Sequence, residues 1–324
     1  MKKEELRIVY MGTPDFAVEP LARLVDGGYN VVGVVTMPDK PVGRHQTELA
    51  ASPVKKYAVA RGLPVLQPVK LKDEGFLSEL REWRPDLQVV VAFRMLPEVV
   101  WALPPHGTFN LHAALLPQYR GAAPINWAII NGDRETGVTT FFLDRDIDTG
   151  AIIERERISI EETDNAEDVH DKLMHLGSEL VVRTVDRILA GRVEPIPQSE
   201  LTVDGPLRPA PKIFRDTCQI DWSKSLDDTY NFVRGLSPYP AAWTNFEHGG
   251  KRTVLKIYET GKEHGCPHEP VGTVLTDGKE WMKIAQRDGY LHLRSLQLTG
   301  KRRMDVAAFL RGFHADGTER VFTE

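Results

Sequence analysis

An asparagine and a histidine two residues apart, in Asn110-Leu111-His112, are the first groups along this chain whose types suit joint chemistry. If the segment is extended, side chains two apart point to the same side and sit roughly 6.6 Å apart, from a rise of about 3.3 Å per residue. An amide donor and an imidazole so placed could stabilise a developing negative charge and move a proton. Read alone, His112 serves equally well as a buried, satisfied histidine, and Asn110 more often as a turn or cap residue. A loop of small residues and prolines follows, Leu115-Leu116-Pro117-Gln118-Tyr119-Arg120-Gly121-Ala122-Ala123-Pro124, which could line a ligand before a helix starts near Pro124.

Acidic residues come next. Asp144, Asp146 and Asp148 alternate with Arg145 and Ile147, so a strand reaching that far would put three carboxylates on one side. The calcium-loop pattern D-x-D-x-D-G-x5-E fails twice, because Thr149 takes the glycine position and Arg155 the bidentate glutamate position. Solvated turn acids before Gly150 are the plain reading for at least two of the three. The first strand-to-helix turn holds one glycine, Gly12, where a dinucleotide fingerprint needs three. Gly12 reads as a turn residue at the carboxyl edge of a sheet.

Alternating elements must position these groups. Apolar runs at residues 6–11, 30–36, 65–66, 87–92 and 108–111 read as strands, and helical spacing follows Gly12 and recurs over 53–61, 74–83 and 125–130. Such alternation predicts a doubly wound, mostly parallel sheet of the α/β class. Val169, Leu173, Leu176, Leu180, Val181, Val185, Ile188 and Leu189 mark one long amphipathic helix. Residues 191–211 hold five prolines and read as a linker. Beyond it, one helix near 225–234 precedes several short apolar segments split by glycine-rich turns, which suggests a small barrel or sandwich.

At 324 residues the chain has room for about two domains. It is 41% hydrophobic and 27% charged, which excludes fibrous, disordered and disulfide-scaffold classes. No apolar run approaches the roughly 20 residues of a membrane span, and no export signal is visible at the N-terminus. Cys218 and Cys266 lack metal-site spacing and point to a reducing, cytoplasmic setting. Net charge is −5, split as −8 over residues 1–207 and +3 over 208–324, so any nucleic-acid contact is better sought in the C-terminal part.

Taken together, Asn110-x-His112, Leu115-Leu116-Pro117, Arg120-Gly121-Ala122-Ala123-Pro124 and Asp148-Thr149-Gly150 resemble the formyltetrahydrofolate-dependent formyltransferases. The likeness extends to Met11-Gly12-Thr13-Pro14-Asp15-Phe16-Ala17, Pro38-Asp39-Lys40-Pro41-Val42-Gly43-Arg44, Ser52-Pro53-Val54-Lys55, Ile220-Asp221-Trp222 and Ser237-Pro238-Tyr239-Pro240-Ala241-Ala242-Trp243, nearly the whole chain. Three places depart from the family pattern. Ala114 replaces a serine, His45-Gln46-Thr47-Glu48 replaces a glycine and basic residues, and Ala92-Phe93-Arg94 replaces Ala-Tyr-Gly in a segment one residue shorter.

The resemblance implies a Rossmann-like catalytic domain over 1–190, the linker, and an OB-like β-barrel over 212–324 that holds tRNA. It implies formyl transfer from 10-formyltetrahydrofolate to the α-amine of initiator methionyl-tRNA through a tetrahedral intermediate, with a sugar-nucleotide or other small amine as the alternative acceptor. By the same resemblance Asn110 and His112 bind the oxyanion, and Asp148 orients His112 and relays a proton. Ala114, Leu115, Leu116 and Pro117, with Phe93 and Met95, would contact the folate. Arg44 and the run Lys301-Arg302-Arg303 would contact tRNA. No metal and no membrane partner enter, and a monomer is expected.

Overall fold

Runs apolar at every position, such as Ile-Val-Tyr-Met-Gly, can only be accommodated where both faces of a strand are covered. They form the centre of a seven-stranded sheet. Its strands are β1 (Ile8–Gly12), β2 (Val31–Val35), β5 (Val65–Leu66), β6 (Leu87–Val91), β7 (Thr108–His112), β8 (Glu135–Phe142) and β9 (Ile152–Ser159); β3 (Lys40–Val42) and β4 (Glu48–Ala50) pair with each other outside it. The order is β5-β2-β1-β6-β7-β8-β9. The pairs among β5, β2, β1, β6 and β7 are parallel, whereas β8 runs antiparallel to β7. Apolar runs alone do not predict β8 and β9, because β8 interrupts its apolar residues with threonines and a glycine and β9 is half exposed and alternates charge, Glu-Arg-Glu-Arg, along its length.

Helices α1 (Val18–Asp26), α2 (Pro53–Ala60), α3 (Glu74–Glu82) and α4 (Glu98–Trp101) alternate with the parallel strands, and α5 (Pro124–Ile130) and α6 (Ala166–Leu189) come later in the chain. The Ser52 hydroxyl and the Asp73 carboxylate cap α2 and α3 by accepting the Lys55 and Phe76 amides, as their positions before each helix require. On one face of the sheet Val9, Met11, Val35 and Val90 pack with Phe76, Leu77 and Leu80 of α3.

This computed structural model describes residues 2–42, 48–203 and 205–323. Two compact units emerge: Met1–Gly121 with Thr136–Ile158 and His170–Pro209, and Ala122–Glu135 with Ser159–Val169 and Ala210–Glu324. The second therefore includes α5 and residues 159–169, which lie inside the linear span 1–190. Asn126 donates to the Gly235 carbonyl at 2.7 Å, and Arg234 donates to the carbonyls of Glu161 and Asp164.

The second unit is an antiparallel sheet in the order β12 (Val274–Thr276), β13 (Met282–Gln286), β14 (Gly289–Leu298), β11 (Lys251–His264), β10 (Ala242–His248), β16 (Arg320–Phe322), with β15 (Met304–Asp305) on β14. Thr273 bridges to Arg320, and the Val321 and Val274 amides donate to the Gly272 and Glu319 carbonyls, so the two ends of the sheet meet and nearly close a barrel. α7 (Leu226–Gly235) sets Leu226, Tyr230 and Val233 into a core with Trp222, Ile257 and Leu291, while α8 (Val306–Leu310) adds Phe309 and Leu310.

Candidate active site

β7 ends at His112, at the carboxyl edge of the parallel strands, where chain crossovers leave clefts. Its antiparallel neighbour places Thr139 directly opposite His112. The fully buried Thr139 hydroxyl donates to the Ala114 carbonyl at 2.6 Å and accepts from the Leu116 amide at 3.1 Å, which fixes the loop leaving the strand. Arg155 donates to the Leu116 carbonyl at 3.0 Å, and burial followed by the nearby Arg157 charge lowers its guanidinium below the ordinary value.

His112 is 6% exposed. Its Nε2 lies 2.9 Å from the Tyr119 carbonyl oxygen, and since a carbonyl can only accept, Nε2 carries the hydrogen. Nδ1 then faces Asp148, whose Oδ2 is 3.8 Å away. The same carboxylate oxygen accepts the Gly121 amide at 2.9 Å. Asp148 and Tyr119 both adopt left-handed backbone angles, φ 56° and 59°, conformations that cost a non-glycine residue free energy and are maintained by surrounding contacts.

The three aspartates do not share a strand face. β8 stops at Phe142, and the acids lie in the turn beyond it, where the Asp144 carboxylate accepts from the Asp146 amide and the Thr149 hydroxyl. Asp144 and Asp146 are turn acids, whereas Asp148 turns inward to the imidazole. Asn110 lies two residues before His112 on the same side of β7, half-buried. Among the described residues its carboxamide makes no hydrogen bond, so its donors are available to a ligand.

Ala114, Leu116 and Pro117 are buried, and Leu116 packs with Phe141 and Ile152. Leu115 is half-buried. The Ala114 carbonyl and Leu116 amide are already taken by Thr139, so a folate contact at this loop would fall to other groups. Phe93 is half-buried and Met95 is 73% exposed. Between them Arg94 donates to the Pro68 and Val69 carbonyls and stands over the Phe93 ring at 5.7 Å, tying down the short segment. Arg44 lies outside the described residues. Lys301 and Arg302 are exposed in the β14–β15 turn. Arg303 is committed within the barrel: it donates to Ser295 and Glu259 and stacks over Tyr258 at 4.4 Å.

Residues 191–211, read from composition as a linker, contain the buried Gln198. Its oxygen accepts from Arg120 Nε and Nη2 at 3.0 and 2.6 Å, and its amide donates to the Asp148 and Gly150 carbonyls at 2.8 and 2.9 Å. Ile196 bridges to Ile152, and the Arg208 carbonyl accepts the Tyr119 amide at 2.7 Å. Neither Gln198 nor Thr139 carried a local signal, since each acts on residues distant in sequence. Among the described residues one cluster has the spacing of a metal site, His248 with Asp316 and Glu319 in the barrel. There Glu319 already accepts the Asp316 and Gly317 amides and faces His248.

Residues 6–185 match the Formyl transferase family model, and residues 212–314 match Formyl transferase, C-terminal domain. The chain is 64% identical over 315 residues to the methionyl-tRNA formyltransferase of Parabacteroides distasonis, covering 97% of each protein. It is 61% identical over 319 residues to that of Bacteroides thetaiotaomicron, covering 98% of this chain and 99% of the other. Among solved structures, HypX from Aquifex aeolicus in complex with tetrahydrofolic acid superposes with a TM-score of 0.63 at 17% identity, covering 96% of this chain and 48% of that one. The Helicobacter canadensis N-formyltransferase with folinic acid and dTDP-3-aminofucose gives 0.64 at 19%, covering 92% and 100%. Those two likenesses establish the shared architecture. With the N-terminal model spanning more than half its length and near-complete relatives above 60% identity, this chain belongs to the formyl transferase family.

Proposed function

We propose that this chain transfers a formyl group from 10-formyltetrahydrofolate to the α-amine of initiator methionyl-tRNA for translation initiation. The observation that carries the reading is its 61–64% identity, over at least 97% of its length, to methionyl-tRNA formyltransferases. The half-buried Asn110 amide, without a hydrogen-bond partner among the described residues and on the same side of β7 as His112, which faces Asp148, suits a formyl donor there, with Phe93 and Met95 as folate contacts in this reading.

In this proposal each residue has a distinct task. Attack of an amine on the formyl carbon puts negative charge on the former carbonyl oxygen, and the Asn110 N–H groups supply a donor to it. One such donor is worth roughly 2.7–4 kcal/mol in the transition state. Because Nε2–H of His112 is committed to Tyr119, it does not share the oxyanion with Asn110 as the resemblance implied; Nδ1 takes the proton from the attacking amine and returns it to the folate nitrogen as the bond between that nitrogen and the formyl carbon breaks. The Asp148 carboxylate, 3.8 Å away, stabilises the imidazolium so formed. An α-amine titrates near 7.7–8.0, so roughly a tenth to a sixth is already uncharged at neutral pH and no strong base is required.

Lys301 and Arg302 would add phosphate contacts from the C-terminal unit, with Arg44 as the contact from the segment 38–52. Unpaired Cys218 and Cys266 fit a reducing cytoplasm, and among the described residues no helix is long and apolar enough to cross a membrane. The chain is taken to act as a monomer, which sedimentation tests. Incubation with the formyl donor and either charged initiator tRNA or an amino-sugar nucleotide, following folate release, tests the function. Release only with the sugar would overturn the tRNA reading, and wild-type turnover by His112→Ala would overturn the residue roles.

A further inference from the structure

The structure assigns Gln198, in the interval 186–211 that neither family model covers, as the positioning residue for Asp148. The inference rests on the formyl-transfer reading given above. Asp148 holds a left-handed backbone angle of 56°, which costs a non-glycine residue free energy, with its carboxylate aimed at His112. Gln198 meets this turn from outside it. Its Nε2 carries two hydrogens and spends both on main-chain carbonyls flanking Thr149, those of Asp148 and Gly150. Those carbonyls thereby hold the turn, while the Asp148 side chain remains directed inward.

The other end of the same amide is equally committed. Oε1 accepts two hydrogens from the Arg120 guanidinium, which orients the carboxamide, so that its nitrogen and not its oxygen faces the turn. Arg120 precedes Gly121, the residue whose amide donates to Asp148 Oδ2. Arg120 and Gly121 therefore fix Asp148 from two directions: through the carboxylate directly, and through the backbone by way of Gln198. With Gln198 at 5% exposure, water cannot readily replace these bonds. A side chain from the proline-rich stretch is thus part of the catalytic centre's frame, and Asp148 depends on a segment about 50 residues downstream being docked.

The test uses the full chain with 10-formyltetrahydrofolate and charged initiator tRNA. Gln198→Met keeps the volume and removes both sets of bonds. Gln198→Glu keeps the acceptors for Arg120 but turns an oxygen toward the two carbonyls. Both variants are expected to lower kcat at least about tenfold, toward the ~10²-fold that a misplacement of about 1 Å costs, with little change in either KM. In an Asp148→Asn background, where the carboxylate is already gone, Gln198→Met should lower kcat less than twofold further. An equal loss in both backgrounds, or wild-type kcat in either single variant, overturns the assignment. Should Gln198→Met fail to fold, the Gln198→Glu comparison in the two backgrounds decides alone. If the unaltered chain does not formylate the tRNA, the functional reading has failed; if it does and the backgrounds respond alike, only the role of Gln198 has.

Discussion

Replacing Gly150 by alanine probes how closely turnover depends on the Asp148 turn. A β-carbon at this position would lie 1.7 Å from the Phe142 carbonyl oxygen, against a lower bound of 3.0 Å for real contacts, a deficit of 1.3 Å. The obstacle is backbone, so no side-chain rotation relieves it, and the two segments must part. The Phe142 amide bond to the Ala151 carbonyl, 3.0 Å in the native chain, is strained by the same movement, as is the Gly150 carbonyl bond to Gln198. Asp148, two residues earlier, is carried along and its 3.8 Å approach to His112 is altered. A displacement of about 1 Å costs on the order of 10² in rate. That factor corresponds to about 2.7 kcal/mol of transition-state stabilisation. Steady-state kinetics against both substrates, with a melting curve to confirm folding, measures it. A folded Gly150→Ala protein with kcat within threefold of the unaltered chain would refute the link between turn geometry and catalysis.

Three further outcomes follow from the same coordinates. Thr139→Val should lose about 2–4 kcal/mol in denaturant unfolding, because the Leu116 amide and the Ala114 carbonyl lose the hydroxyl that bonds them both, and Thr139→Ser should recover most of it. Thiol labelling of the native chain should modify Cys266 rapidly and leave Cys218 untouched until unfolding, since Cys218 is 1% exposed and burial pushes its thiol above the ordinary value. The Asp39 carboxyl is lowered by hydrogen bonds from the Lys55 ammonium, 2.6 Å away, and then from Gln67. A depressed folded-state value gives stability that is complete above the unfolded value near ~3.9 and is lost as pH falls through the folded value. The stability gap between the unaltered chain and Lys55→Met, followed by urea unfolding across pH, should therefore be constant near neutrality and close at acid pH.

Local pattern alone was enough for the parallel strands, for the long helix now bounded at Ala166–Leu189, and for the same-side placement of Asn110 and His112, because burial on both faces, a period of 3.6 and a period of 2 are properties of short windows. The family likeness rested on similar short strings. Three features needed the third dimension. The β8–β9 pair lacks a continuous apolar run: buried β8 reads Glu-Thr-Gly-Val-Thr-Thr-Phe-Phe, and half-exposed β9 alternates charge. The acids after Phe142 looked equivalent until the chain turned and one of them, Asp148, came under His112. The stretch 191–211 looked like a spacer because prolines and few apolar residues describe both a tether and a docked strap; what separates them is the burial of Gln198 between Arg120 and Asp148, a contact spanning 78 residues on one side and 50 on the other. A sequence lists which groups exist and how each few residues prefer to bend, but hydrogen bonds between segments so far apart arise only when the whole chain has closed around them.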